Sequence, residues 1–429
     1  MRILIYGINY DPELTGIGKY TGQMAKWLAN YGHDTTVITG MPYYPEWKLN
    51  ERYKGKLWHC EQKDGVRIYR APLYVPAKIT SLKRIVHEFS FLLAILPIWF
   101  YTLFQKKYDI VMYISPPFHL GIFPYLYSKI RGAKFITHIQ DLQVDAARDL
   151  GMIKNQTLLK CMFAVERFIL QNSDTVSTIS TGMKKRLVKK GIPESRISIL
   201  YNSVDTTRIF PLFKEQSMIK QLDLDIEDRV ILYSGNIGEK QGLEHLVEAA
   251  KRFMHRPEVK FLIVGSGAYK EKLMAITQAT GCTNVRFLPL QPYESLSELM
   301  AVADLHVVLQ KQSASDLLMP SKLSTILAAG GCSIVSALPG TSLYEIIDQN
   351  NLGFLIKPEC TDSLCDAIEN ALSLDLNVFR VNARNFAEHY LEADSILAGF
   401  ERQLVHMVHP DLTRKIEIET INKLEGELS

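Results

Sequence analysis

Twice in this chain a short, almost wholly apolar run ends in a glycine-rich loop that opens a helix, and few folds accept that order. Arg2 to Gly7 reads as a buried strand leading through Thr15-Gly16-Ile17-Gly18-Lys19-Tyr20 into a helix expected to reach about Tyr31. Val230 to Ser234 runs into Gly235-Asn236-Ile237-Gly238-Glu239-Lys240-Gln241-Gly242, after which Leu243, Leu246, Val247 and Ala250 fall at helical spacing. Phe261 to Val264 repeats the strand, and Gly265-Ser266-Gly267 the loop. Continuous apolar strands of this kind belong to parallel sheets, which helices cover on both faces. Further runs at 35–39, 66–70, 109–114, 133–137, 174–178, 197–201, 285–288, 303–309, 332–336 and 353–356 carry the pattern through the whole chain. The fold class is α/β, two Rossmann-like doubly wound domains facing across a cleft.

A chain of 429 residues is too long for one compact core. The first domain is expected over 1–206 and the second over 207–375, with the polar stretch 211–229 as the crossing. Helical patterns at 376–408 are expected to pack back on the first domain, ahead of a charged tail at 409–429. The net charge of +3 conceals an asymmetry: residues 1–206 hold 28 Lys and Arg against 16 Asp and Glu, and the remainder holds 21 against 30. A basic half suits an anionic membrane surface or a phosphorylated acceptor. No zinc finger, RRM signature or basic repeat supports nucleic acid as partner. Six scattered cysteines form no C-x-x-C pair, which fits a reducing cytoplasm. Ile3 to Tyr6 is too short for the core of a signal peptide and reads as a strand.

Two stretches of the first half stand apart. Met41-Pro42-Tyr43-Tyr44-Pro45-Glu46-Trp47 is a long aromatic loop whose rings could stack on a sugar or a lipid chain, or equally pack against their own domain. Phe89 to Phe104 lacks charge, is interrupted by Pro97, and is flanked by Lys83, Arg84, Lys106 and Lys107. It falls short of the ~20 residues that span a bilayer. A helix in the membrane interface and a helix buried between layers are both consistent with it.

Candidate chemistry gathers at the loops. Strand, glycine loop and helix N-terminus let the backbone approach a phosphate. The pattern is not G-x-G-x-x-G, and no acid closes a second strand, so a dinucleotide site is disfavoured. Ser321-Lys322 opens another short helix after Pro320, placing an ammonium beside free amides. His138 and Asp141, beyond the strand at 133–137, are expected in the crevice as acid, base or hydroxyl-orienting groups.

Together these segments resemble the retaining glycosyltransferases of family 4, with the GT-B fold. The resemblance is carried by Tyr233-Ser234-Gly235-Asn236-Ile237-Gly238, Ile263-Val264-Gly265-Ser266-Gly267, Pro320-Ser321-Lys322 with Ile326 to Gly330, then Glu345 and Gly353 to Ile356. Tyr6 to Tyr10, Thr15 to Gly22, His138 to Asp141 and Gly235 to Glu244 are similar to the subgroup concerned with colanic acid biosynthesis. The resemblance implies a nucleoside-diphosphate sugar as donor and a polyprenyl-diphosphate-linked saccharide as acceptor. It further implies retention of configuration, no metal, and a peripheral position at the inner face of the plasma membrane. Fucose is the sugar the subgroup suggests.

Carried over residue by residue, it implies donor contacts from Gly16, Gly18, Ser234, Gly235, Asn236, Lys240, Gly265, Asp316, Ser321, Lys322 and Glu345. His138, Asp141 and Lys322 become the catalytic candidates. There are departures. Asn236 stands where many members have Arg, and Gln241 where they have Lys, with Lys240 adjacent. The usual pair of Glu falls at Leu317 and Thr325, leaving Asp316 as the substitute carboxylate. Two alternatives remain at this stage, a nucleotide-sugar epimerase and a non-catalytic membrane-associated scaffold.

Overall fold

The computed structural model describes residues 1–13, 16–78, 80–149, 153, 155–312 and 321–411. The first domain is an eight-stranded sheet of β1 (Arg2–Tyr6), β2 (Asp34–Gly40), β3 (His59–Lys63), β4 (Val66–Ala71), β5 (Ile110–Ser115), β6 (Lys134–Ile139), β7 (Thr175–Thr178) and β8 (Ile197–Ile199). Their spatial order is β3-β4-β2-β1-β5-β6-β7-β8, parallel throughout except for β3 at the edge. Helices α1 (Ile17–Asn30), α2 (Ser81–Ala94), α3 (Leu96–Leu103), α4 (Ile122–Arg131), α5 (Gln143–Asp149), α6 (Gln156–Asn172) and α7 (Thr181–Lys189) connect them.

The second sheet contains β9 (Arg229–Ser234), β10 (Val259–Val264), β11 (Val285–Leu288), β12 (Leu305–Val308), β13 (Ser333–Ser336) and β14 (Gly353–Ile356). Its order, β11-β10-β9-β12-β13-β14, is all parallel and reverses beside β9. That is the Rossmann arrangement, with its crevice at the reversal. Helices α8 (Glu244–Arg252), α9 (Lys270–Thr280), α10 (Leu296–Val302), α11 (Ser321–Ala328), α12 (Ser342–Gln349) and α13 (Thr361–Ser373) cover it.

Packing follows the apolar pattern. Central strands β1 and β9 are buried on both faces, and each sheet has one core cluster above and one below. The strand β3 (His-Cys-Glu-Gln-Lys) has no apolar face, which is why the sequence hid it; an edge strand needs none.

The helical run after 376 behaves differently from the expectation that it returns whole to the first domain. It breaks at Leu391-Glu392 into α14 (Asn377–Tyr390) and α15 (Ala393–Val408). Helix α14 stays on the second domain, burying Ala383 and Ala387 against its core. Helix α15 crosses, burying Leu397, Phe400 and Leu404 beside Met24 and Leu28 of the first. Trp27 Nε1 donates to Asp394 at 2.7 Å, and His33 lies 2.9 Å from Glu401. The two crossings touch: Val204 N–H donates to Leu391 C=O, and Ala393 N–H to Val204 C=O. The hinge is therefore a pair of adjacent strands of backbone. The expected tail beyond 411 lies outside the described residues.

The apolar stretch at 85–104 is two helices, α2 and α3, meeting at Ile95 just before Pro97. One face joins the core through Phe91, Ile95, Ile98 and Trp99. The other exposes Leu82, Phe89, Leu93, Phe100 and Phe104. By length and composition alone, Leu82–Leu103 is the one stretch among the described residues able to cross a membrane.

Candidate active site

The cleft between the domains encloses about 310 Å³. Gly16, Lys19, Tyr44, Gln140 and Asp141 line it from the first domain. Ser234, Gly235, Asn236, Lys240 and Lys322 line it from the second. Both groups sit past the carboxyl ends of strands, where open α/β sheets bind ligands.

Gly16 takes φ +68° immediately before α1, and no side chain caps that helix. Its first-turn amides, with no acid among them, are left for an anion. Gly18 admits no side chain, because a Cβ there would stand 2.6 Å from Glu13 Oε2. Glu13 in turn accepts from the Tyr43 and Tyr44 amides at 3.2 and 3.1 Å and from Asn9 Nδ2 at 2.9 Å. Burial raises its carboxyl to about 7, against the pull of those donors. This residue fastens the aromatic loop beneath the glycine loop. The loop divides its aromatics: Tyr43 and Trp47 pack on one another and on His87, and Tyr44 faces the cleft.

In the second domain Gly235, just after β9, takes φ +147°, a backbone conformation that favours glycine. Lys322, at the second position of α11, runs past Gly235, where a Cβ would sit 3.6 Å from its Cε. Its Nζ is buried without a hydrogen-bond partner among the described residues and lies 3.9 Å from the centre of the Tyr233 ring. Tyr233 is held by donating its hydroxyl to Asn236 C=O at 2.6 Å. Burial lowers the Lys322 ammonium to about 7. Lys19 is lowered to about 8 by the same cause and lies 5.1 Å from the Tyr293 ring across the cleft. A buried cation without an anion is costly, and a diphosphate would supply the missing partner.

A prediction follows for proton linkage. Above pH 7 the free Lys322 loses its proton, and above pH 8 Lys19 does so too; a bound diphosphate raises both values again. At pH 8, binding of a nucleoside diphosphate should therefore take up between one and one and a half protons, ~0.9 at Lys322 and ~0.5 at Lys19. Calorimetry in buffers of different ionisation enthalpy measures it, and no uptake would mean that the anion does not meet these amines.

The other expected residues separate. Asp141 lines the cleft, its Oδ1 without a hydrogen-bond partner among the described residues; burial raises its carboxyl, opposed by Lys240 and Arg84. His138 does not line the cleft. β6 runs two residues beyond the expected end, so His138 is a strand residue turned into the wall. Its Nδ1 lies 2.9 Å from Ser177 Oγ and its Nε2 2.9 Å from Gln140 Nε2. Burial lowers it to about 4, so it is neutral, with both nitrogens engaged. Its visible effect is to position Gln140, which does line the cleft.

Gly265 also lies off the cleft, backbone to backbone with Gly235. Glu345 sits in the first turn of α12, away from the lining. Asp316, Leu317 and the side chain of Ser321 lie outside the described residues. Thr325 lines the cleft. Sequence reasoning passed over Lys19, Glu13 and Gln140, and held Tyr44 only as one of several aromatics that could equally pack inward. Lys19 was readable, as a cation one residue beyond the glycine loop; Tyr44 depends on a loop path that no periodicity encodes.

Two Rossmann-like domains, with an uncapped helix and a buried ammonium meeting at their shared cleft, define a GT-B glycosyltransferase. The chain belongs to the group 1 glycosyl transferases with a glycosyl transferase 4-like first domain: the respective family models match residues 214–388 and 15–203. It is 38% identical over 409 residues to WcaI of Escherichia coli K12, a putative colanic acid biosynthesis glycosyl transferase, covering 93% of this chain and 98% of that one. Sucrose-phosphate synthase from Thermosynechococcus elongatus shares the fold with a TM-score of 0.74 at 17% identity, over 95% of this chain and 98% of that one. HepE from Anabaena, solved with UDP and glucose, does so at 0.71 and 15%, over 94% and 99%. The chain is an enzyme that transfers glycosyl groups.

Proposed function

We propose that the enzyme moves a sugar from a nucleoside-diphosphate donor to a lipid-linked saccharide, at the cytoplasmic face of the membrane, during assembly of a colanic-acid-like exopolysaccharide. The observation that carries this is the Lys322 ammonium, buried beside Gly235 at the wall of the cleft with no hydrogen-bond partner among the described residues. Charge builds on the departing diphosphate as its bond to the sugar breaks and the electron pair leaves with the phosphate oxygen. Preorganised donors at that point stabilise the transition state most. Lys322, Lys19 and the amides after Gly16 supply them. Asp141 faces Lys240 where an incoming hydroxyl would be oriented; that hydroxyl closes on the same carbon and yields its proton to the departing phosphate.

We infer a reaction independent of divalent metal, in which the Lys19 and Lys322 ammonium groups that line the cleft supply the counter-charge for the diphosphate. Among the described residues no three His, Cys, Asp or Glu side chains gather as a metal nest. Retention of configuration is proposed from family likeness. A panel of labelled nucleotide sugars with a polyprenyl-diphosphate saccharide tests the reading, guanosine-diphosphate fucose first and chelator in a parallel arm. Transfer with the chelator present and a retained anomeric centre are expected. Transfer abolished by chelator, or no transfer to the lipid-linked acceptor, rejects it.

Membrane attachment is supported by the open apolar face of α2 and α3, beside the exposed Lys83, Lys106 and Lys107. An amphipathic surface of this kind lies in the headgroup layer, drawn by anionic lipid. Leu93→Asp with Phe104→Asp, both at exposed positions, should weaken binding to phosphatidylglycerol vesicles by about tenfold or more. Unchanged vesicle sedimentation would remove this face from the account.

A further inference from the structure

A second cavity, of about 1020 Å³, lies on the flank of the first domain where it meets α12. Helices α5, α6 and α7 wall it, and Gly340 and Ser342 close it from the second domain. Thr181 Oγ1 donates to Ser342 Oγ at 3.0 Å across that seam. Seven cationic side chains line it against three acidic ones. All three carboxylates are already used: Lys190 bridges Asp145 and Glu166, and Asp149 is held by Arg148 at 2.8 Å and Arg186 at 3.3 Å. Lys160, Arg167, Lys185 and Lys189 are left exposed, with no ion-pair partner among the described residues. Lys185 and Lys189, four apart on α7, share one face. Unpaired cations converging on a concave site hold a multiply charged anion far better than one exposed lysine does.

The surroundings say which anion. Phe168, exposed at the rim of the cavity, meets Tyr125 of α4 edge-on at 5.0 Å. Helix α4 exposes Ile122, Leu126 and Ile130. Phe89 of α2 stacks at 4.7 Å on His119, just ahead of α4. An apolar path thus runs from the open face of α2, over α4, to the cavity. On the other side α5 is the partition: Asp141 in the cleft precedes it, and Arg148 near its far end lines the cavity. At ~1.5 Å per residue the seven residues of α5 span roughly 10 Å between cleft and cavity, within reach of a short saccharide.

We propose that this cavity holds the diphosphate of the lipid-linked acceptor, with the lipid over α2 and α4 and the saccharide passing α5 to Asp141. The choice of acceptor rests on the function proposed above; the anion site does not. An anionic headgroup offers the same phosphate chemistry, so the test separates the two sources. The variant Lys185→Glu with Lys189→Glu, at exposed helical positions, should raise KM for a polyprenyl-diphosphate saccharide by at least about tenfold. KM for the nucleotide sugar, and the rate with a free saccharide acceptor, should not move. An unchanged acceptor KM, or equal loss with the free saccharide, overturns the proposal. So does loss of binding to phosphatidylglycerol vesicles with the acceptor KM intact, which would give the cavity to headgroups. Inorganic diphosphate, titrated calorimetrically with the cleft saturated by nucleotide, tests the site even when no acceptor is turned over. Binding to the wild type and none to the variant is expected; no binding to the wild type abolishes the site, whatever the acceptor.

Discussion

Replacing Lys322 by Met is expected to lower turnover by about 10²–10³-fold, the loss typical of one preorganised transition-state donor. The protein should be no less stable for it. The amine makes no hydrogen bond among the described residues and is buried among Tyr233 and the Gly235 loop, so its charged form is penalised in the free enzyme. Its depressed value fixes the sign of the pH effect: between about 7 and the ordinary lysine range the unfolded chain binds the extra proton, so this group makes stability rise with pH across that window. A methionine of similar length removes that penalty and keeps the packing. Activity and thermal stability should therefore part company, turnover collapsing while the melting temperature holds or rises. A variant that melts early and loses activity in proportion would show Lys322 to be structural.

Gly265→Ala should produce the opposite signature. A Cβ there would stand 1.9 Å from the Gly235 carbonyl oxygen, and Gly265 already sits at φ +153°. The obstacle is backbone on both sides, so no rotamer change relieves it and the loops after β9 and β10 must separate. A destabilisation of about 3 kcal/mol or more is expected from such overpacking combined with strain. The displaced loop carries Gly235 and Asn236 into the cleft, so nucleotide affinity should fall with it. Gly281→Ala is the control: it also has positive φ, +71°, but open space around it. Thermal melts and nucleotide titrations of both variants decide the matter, and equal effects would discount the contact between the loops.

Most of the scaffold could be read in advance because parallel strands buried on both faces leave unmistakable apolar runs. β3 escaped because an edge strand with no buried face carries no pattern. Lys322 was legible for a local reason, a cation in the first turn of a short helix after proline. His138 was misplaced by a strand end two residues out, enough to turn it from crevice to wall. Lys19 meeting Tyr293, and Asp141 facing Lys240, join residues of different domains. Their meeting depends on how α15 and the Val204–Ala393 crossing set the two domains against each other, and no local periodicity records that. The division of the aromatic loop, Tyr44 outward and Tyr43 inward, follows from Glu13 beneath it, again a contact between distant segments.

In the proposed reaction a leaving diphosphate is clamped between the first turn of α1 and the Gly235 loop, with a lysine ammonium as its main counter-charge. A crystal structure of the enzyme with a nucleoside diphosphate measures this directly. Phosphate oxygens are expected at about 3 Å from Lys322 Nζ and from amides of both glycine loops. A diphosphate bound elsewhere, or the amine still stacked on Tyr233 with no phosphate near it, would contradict it.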